Sequence, residues 1–168
     1  MRDARLPKNL FVVIVFVALA KAAYDYPLLP DRLASHFGAS GFPNGWMTKP
    51  AFFTIYVALV AFAAAAVFLA PRHIAASSRD KIRLPNKEYW LAAERRPETM
   101  AYFRAQFAWY GCAFLLTEVL AMELAIEANF HVPPRLPMGP MLLVVVGFVL
   151  FNGFWTVLLI RHFSNPGG

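Results

Sequence analysis

The sequence predicts an all-α, polytopic membrane protein, a four-transmembrane-helix bundle with one structured loop facing outward. Three observations predict it. Hydrophobic residues make up 59% of the chain, above the roughly 45–50% of a soluble domain. The excess is gathered into four long runs, residues 10–26, 51–70, 107–130 and 141–160. The basic residues cluster at the ends of those runs. That placement argues against nucleic acid as a partner and makes the net charge of +6 first a statement about orientation in a lipid bilayer. The 168 residues read as a single membrane domain with no room for a separate soluble one. Cys112 is the one cysteine, so neither an internal disulfide nor a cysteine-based metal site is expected.

The first run follows Arg2, Arg5 and Lys8. Basic residues before an apolar core also describe a secretory signal peptide, and Ala18-Leu19-Ala20 offers a small-x-small site. Three further spans, and apolar character beyond that site, favour an uncleaved span. Lys21 is the one basic residue in this run, and its stem can carry the ammonium toward the interface. The second run has no charge. Pro50 opens it, Pro71 is expected to close it, and Ala63 to Ala66 form a small-residue patch suited to close helix packing in lipid. A polar loop, 72–104, carries eight Lys or Arg. Pro97-Glu98 reads as a helix start that continues into the third run.

The third run is unusual for its three glutamates. Glu123 and Glu127 are four apart and share a face, whereas Glu118 points about 140° away from Glu123. A linker with four prolines, His131 to Pro140, leads to the fourth run, which contains Asn152. Ser164 to Gly168 reads as a frayed tail. The positive-inside rule puts both termini and the 72–104 loop in the cytoplasm of a cell membrane. The 27–49 loop and the His131 linker then face outward together.

Residues 26–49 hold Pro27, Pro30 and Pro43 with Gly38, Gly41 and Gly45, so they cannot form one continuous helix. Asn44-Gly45 is a tight-turn signal. His36, Asp31, Phe37 and Trp46 are the candidate ligand-binding residues of this stretch.

Leu29-Pro30-Asp31-Arg32-Leu33, then His36-Phe37, Gly41, Pro43, Gly45-Trp46 and Lys49, resemble the bacterial membrane family called domain of unknown function 1648. Its members carry Leu-Pro-x-x-Ile-Pro-x-His-Phe and then Gly-x-x-x-Gly-Trp between two spans. Leu84 to Leu91, with Glu94-Arg95-Arg96, looks like a second block of many members and marks Asn86, Tyr89, Trp90, Arg95 and Arg96 as a cytoplasmic motif. Ala34 stands where the family usually has proline, and Asn44 where it often has aspartate. The family also forms the amino-terminal part of an immunity protein against a sporulation-delaying toxin. The resemblance therefore implies an immunity-like membrane protein and fixes architecture better than activity.

Each candidate has a chemical and a structural reading. His36, with Asp31, Glu127 and His131, has the residue types of a metal or acid–base site, but the spacing is no metal motif, and neither a metal nor another cofactor is called for. Its alternative role is to hold the turns of the loop. Phe37, Phe42 and Trp46 suit either a hydrophobic ligand or anchoring at the interface. Glu118, near the bilayer centre, suits a proton relay or an interhelical hydrogen bond, with Asn152 at similar depth. Lys21 is expected to pair with Glu123 or Glu127. Two function classes follow. One is a non-enzymatic sensing or immunity-type protein whose loop meets a toxin or peptide. The other is a small proton-coupled transporter or membrane enzyme using the buried glutamates and His36. The resemblance favours the first.

Overall fold

The computed structural model describes residues 4–166. Arg2 of the first basic cluster, and Gly167 and Gly168 of the tail, lie outside the described residues. Helix α1 (Arg5–Asp25) leads through a 3₁₀ turn (Tyr26–Leu28) to strands β1 (Arg32–Phe37) and β2 (Pro43–Thr48). Helices α2 (Lys49–Phe68) and α3 (Ala70–Ala76) follow, then a second 3₁₀ turn (Arg79–Lys81) and the one-turn helix α4 (Lys87–Trp90). The long helices α5 (Arg96–Phe130) and α6 (Met138–Ser164) complete the chain.

The protein is mostly helical. Among the described residues three helical stretches, Arg5–Leu28, Lys49–Ala76 and Met138–Ser164, are long and apolar enough to cross a membrane. The second continues past Pro71, which was expected to end it. Proline lacks only an N–H that the first turn of a helix leaves unbonded, so Pro71 sits in the opening turn of α3. The third apolar run lies inside α5, whose 35 residues extend about 52 Å.

Helix α5 is the centre of the bundle, and α1, α2 and α6 all pack on it. The core joins Phe11 and Ala18 of α1, Tyr56, Val60 and Val67 of α2, and Ala108, Cys112 and Leu115 of α5. Gly111 sets the closeness of this contact. A Cβ there would overlap Val67 Cγ2 and come within 3.2 Å of the Phe11 ring. Small residues at such crossings let helices approach where lipid gives no hydrophobic drive for association.

The expectation of an all-α fold is corrected in the first loop, where β1 and β2 form an antiparallel hairpin. Arg32 pairs with Thr48, Leu33 with Met47 and Ala34 with Trp46. Two irregularities follow, because His36 pairs with Gly45 and Phe37 with Pro43. Ser35 and Asn44 are thus extra residues on their strands, and such bulges twist a hairpin and re-aim its side chains. The reversal runs through Gly38–Phe42, with Gly38 N–H donating to Phe42 C=O at 2.9 Å and Gly41 N–H to Gly38 C=O at 2.8 Å. Asn44-Gly45 therefore lies in β2 and is not the turn.

Gly111→Val should lower thermal stability by about 1–3 kcal/mol through overpacking. Gly147→Val on α6, where a Cβ meets nothing within 4 Å, should be neutral. Thermal size-exclusion assays in detergent compare the two directly.

Candidate functional site

The hairpin is held from beneath by three supports. The first is Asn129, in the last turn of α5 and buried. Its Oδ1 accepts from Ala34 N–H at 2.7 Å, and its Nδ2 donates to Ala34 C=O at 3.0 Å and to Ala125 C=O at 2.8 Å. The side-chain amide thus satisfies the outward-facing peptide groups of β1 as a third strand would. Leu33 and Ala34 are fully buried at this junction.

The second support is Lys49, the first residue of α2. Its Nζ donates to Leu29 C=O at 2.8 Å, lies 3.8 Å from Asp31 and stands 5.1 Å from the centre of the Tyr26 ring. Its backbone N–H donates to Asp31 C=O at 2.8 Å, extending the ladder by one pair. One ammonium thereby ties the 3₁₀ turn, the entry to β1 and the start of α2. The third support is the tip. Gly41 adopts φ +81°, and its C=O accepts from Leu136 N–H at 2.9 Å. A side chain at Gly41 would be strained by that φ and would meet Leu136 O at 2.6 Å. The Arg135 guanidinium stands 5.3 Å from the centre of the Phe42 ring. Between tip and linker is a cleft of about 570 Å³, lined by Ser40, His131, Arg135 and Met138 among others.

On these supports the hairpin exposes Asp31, Arg32, His36, Phe42, Asn44 and Trp46. His36 lies against Gly45, where a Cβ would come to 3.0 Å from His36 Cβ and Nδ1. Gly45 is thus the seat of the imidazole. Among the described residues the only hydrogen bond of the His36 side chain is to the neighbouring Ser35 Oγ, at 3.1 Å. Asn129 and Lys49 supply the long-range hydrogen bonds that hold the hairpin backbone. Phe37 is half-buried opposite Pro43. Among the described residues no group of three or more His, Cys, Asp or Glu comes together to hold a metal. Glu127 and His131 are exposed.

Below the hairpin, Lys21 Nζ lies 2.8 Å from Glu123 Oε2 and 2.6 Å from Asp25 Oδ2. Glu123 is therefore the partner on α5, and Glu127 is not. The buried Asp25 is a second partner that sequence reasoning missed, although Lys21 and Asp25 have the four-residue spacing of a helical ion pair. Glu118 is half-buried. Asn152, expected beside it, accepts instead from the Tyr110 hydroxyl at 2.6 Å and donates to Phe148 C=O at 2.7 Å. The two are not at equal depth: the antiparallel register of α5 and α6 sets Asn152 level with Tyr110, and Glu118 is about 12 Å further along α5.

The motif of the basic loop sits at the opposite end of the bundle. Asn86, at φ +50°, donates from Nδ2 to Phe163 C=O at 3.0 Å and Ser164 C=O at 3.1 Å. Trp90 Nε1 donates to Phe163 C=O at 2.9 Å. These donors satisfy carbonyls that the end of α6 leaves without helical partners. Arg95 hydrogen-bonds the Tyr89 hydroxyl and lies over its ring. Arg96 Nη2 donates to Ala75 C=O at 3.1 Å and Ser77 C=O at 2.6 Å, at the end of α3.

Residues 12–60 match the model of the family described as Domain of unknown function (DUF1648). The match runs from α1 through the hairpin into α2, less than half of the chain. It bears out the resemblance drawn on residues 29–49, while the Asn86–Arg96 motif lies outside it. No curated protein and no solved structure matches the chain. The three apolar helices make the protein a membrane protein, and its residues 12–60 are similar to that family's domain.

Lys21→Ala and Glu123→Ala should destabilise less together than their separate losses add up to, with a coupling of at least about 0.5 kcal/mol. The pair Lys21→Ala and Glu127→Ala should be additive. Melting of the single and double variants in detergent reads both cycles.

Proposed function

We propose that the protein is a non-enzymatic sensing or immunity-type membrane protein whose hairpin faces outward and meets a toxin or amphipathic peptide at the membrane surface. The observation that carries this reading is the division of labour in the hairpin. Asn129, Lys49 and Leu136 hold its backbone, while Trp46, Phe42 and His36 remain exposed. A surface already fixed in shape loses little entropy on binding, and exposed Trp is the residue type that most often dominates such contacts.

The orientation rests on charge. Eight Lys or Arg lie in 72–104 at one end of the bundle, against Arg32 and Lys49 in 27–49 at the other. Helix α5 serves as the fourth crossing. It begins beside the basic loop, where Thr99 Oγ1 donates to Trp90 C=O, and it ends at the hairpin with Asn129. Its length exceeds the roughly 30 Å hydrocarbon core. Glu123 crosses paired to Lys21.

The Lys21–Asp25–Glu123 network, with Glu118 on the same helix, supports a second reading as a small proton-coupled transporter. The two readings separate by experiment. A sensitive bacterial host expressing the chain is challenged with membrane-active peptides, and survival is scored beside folded yield. Trp46→Ala and His36→Ala should abolish protection at unchanged yield. A hot-spot loss of about 2 kcal/mol corresponds to more than about tenfold in affinity. Glu118→Gln should keep protection. Protection lost with Glu118→Gln and retained in both hairpin variants would favour the transporter and overturn the hairpin reading.

A further inference from the structure

We propose that the groove between α5 and α6 at the basic-loop end binds an anionic phospholipid, with the headgroup phosphate on Arg161. The groove encloses about 580 Å³, and its lining changes character along its length. Toward the middle of the helices it is walled by Trp109, Trp155 and Leu158, and toward their ends by Gln106, Arg161 and Asn165. That order, apolar and then polar, is the order of a lipid's acyl chains and headgroup. None of the lining residues is acidic.

Arg161 is available for the phosphate. It is exposed, and among the described residues its side chain has no hydrogen bond or ion pair. The carbonyls of Phe163 and Ser164, which would otherwise attract a cation near a helix C-terminus, already accept from Asn86 and Trp90. A guanidinium offers a planar set of donors that matches phosphate, and basic pockets between membrane helices are known to hold anionic headgroups. The ring of His162, stacked on Tyr102 at 4.1 Å, closes the end of the groove. The acyl chains lie along α6, whose only buried residue is Phe163, leaving its apolar flank open to lipid. The apolar wall assigns the site to a membrane lipid and not to a soluble phosphate.

Two tryptophans in the wall make the site self-reporting. The full chain is reconstituted in phosphatidylcholine vesicles containing an equal minor fraction of either brominated phosphatidylglycerol or brominated phosphatidylcholine. The bromines quench tryptophan fluorescence on contact. Brominated phosphatidylglycerol should quench several-fold more, and Arg161→Gln should remove that excess while Arg161→Lys keeps part of it. Replacing Trp109 and Trp155 by Phe should also remove the excess. Equal quenching by the two lipids in the wild-type chain, which needs no variant to fold, would overturn the proposal. An excess that persists in Arg161→Gln would overturn it too. Displacement of the lipid by soluble glycerol phosphate would show a site for phosphate alone and would overturn the assignment to a lipid.

Discussion

The hairpin end depends on one side-chain amide. A two-stranded hairpin is marginal by itself, and its outer peptide groups must find partners wherever they are shielded from water. At Ala34 they are shielded, and Asn129 supplies both partners from the last turn of α5. A buried peptide group left unpaired costs about 1–3 kcal/mol, so the two bonds fix where β1 sits as well as how firmly. The alanine is itself part of the device. The resembled family usually has proline at this position, and proline has no N–H to give to Asn129 Oδ1. In this chain the junction is a two-point contact because residue 34 is alanine.

The other end uses the same physics in reverse. There the helix is the side with unsatisfied groups, and the loop supplies the donors. Asn86 and Trp90 reach the terminal carbonyls of α6, and Phe163 buries its ring against Phe103. The αL conformation of Asn86 is uncommon for a residue with a side chain, and here it brings the amide to the α6 terminus. Helix α5 lies between these two junctions, so a fixed hairpin, a fixed loop and a fixed α6 all refer to one central helix. That arrangement lets Trp46 and His36 stay exposed while the backbone beneath them is held.

Much of this was legible in the sequence, and the rest was hidden for identifiable reasons. Apolar runs located the long helices, because burial in lipid demands length and composition and little else. An ion pair between Lys21 and a glutamate of the third run, Glu123 or Glu127, was legible because a charge in an apolar environment needs an opposite one; which glutamate, and the part played by Asp25, were not. The hairpin was not, although its prolines and glycines excluded a helix. Its strands are short and bulged, so the alternation that marks a strand breaks at Ser35 and Asn44. Asn44-Gly45 has the local preference of a turn, whereas the role of Gly45 is to make room for the His36 ring, a contact between strands. Asn129 carried a faint signal as a polar residue closing an apolar run. Its partner is 95 positions away, and no local rule reaches that far.

The most direct test of a hairpin locked from beneath is hydrogen–deuterium exchange at the Ala34 amide in the full chain, in detergent or nanodiscs. This amide should exchange as slowly as those in the core of α5, and Asn129→Ala should release it while the core of α5 stays protected. Rapid exchange of Ala34 in the unmodified chain, or protection that survives Asn129→Ala, would contradict that lock.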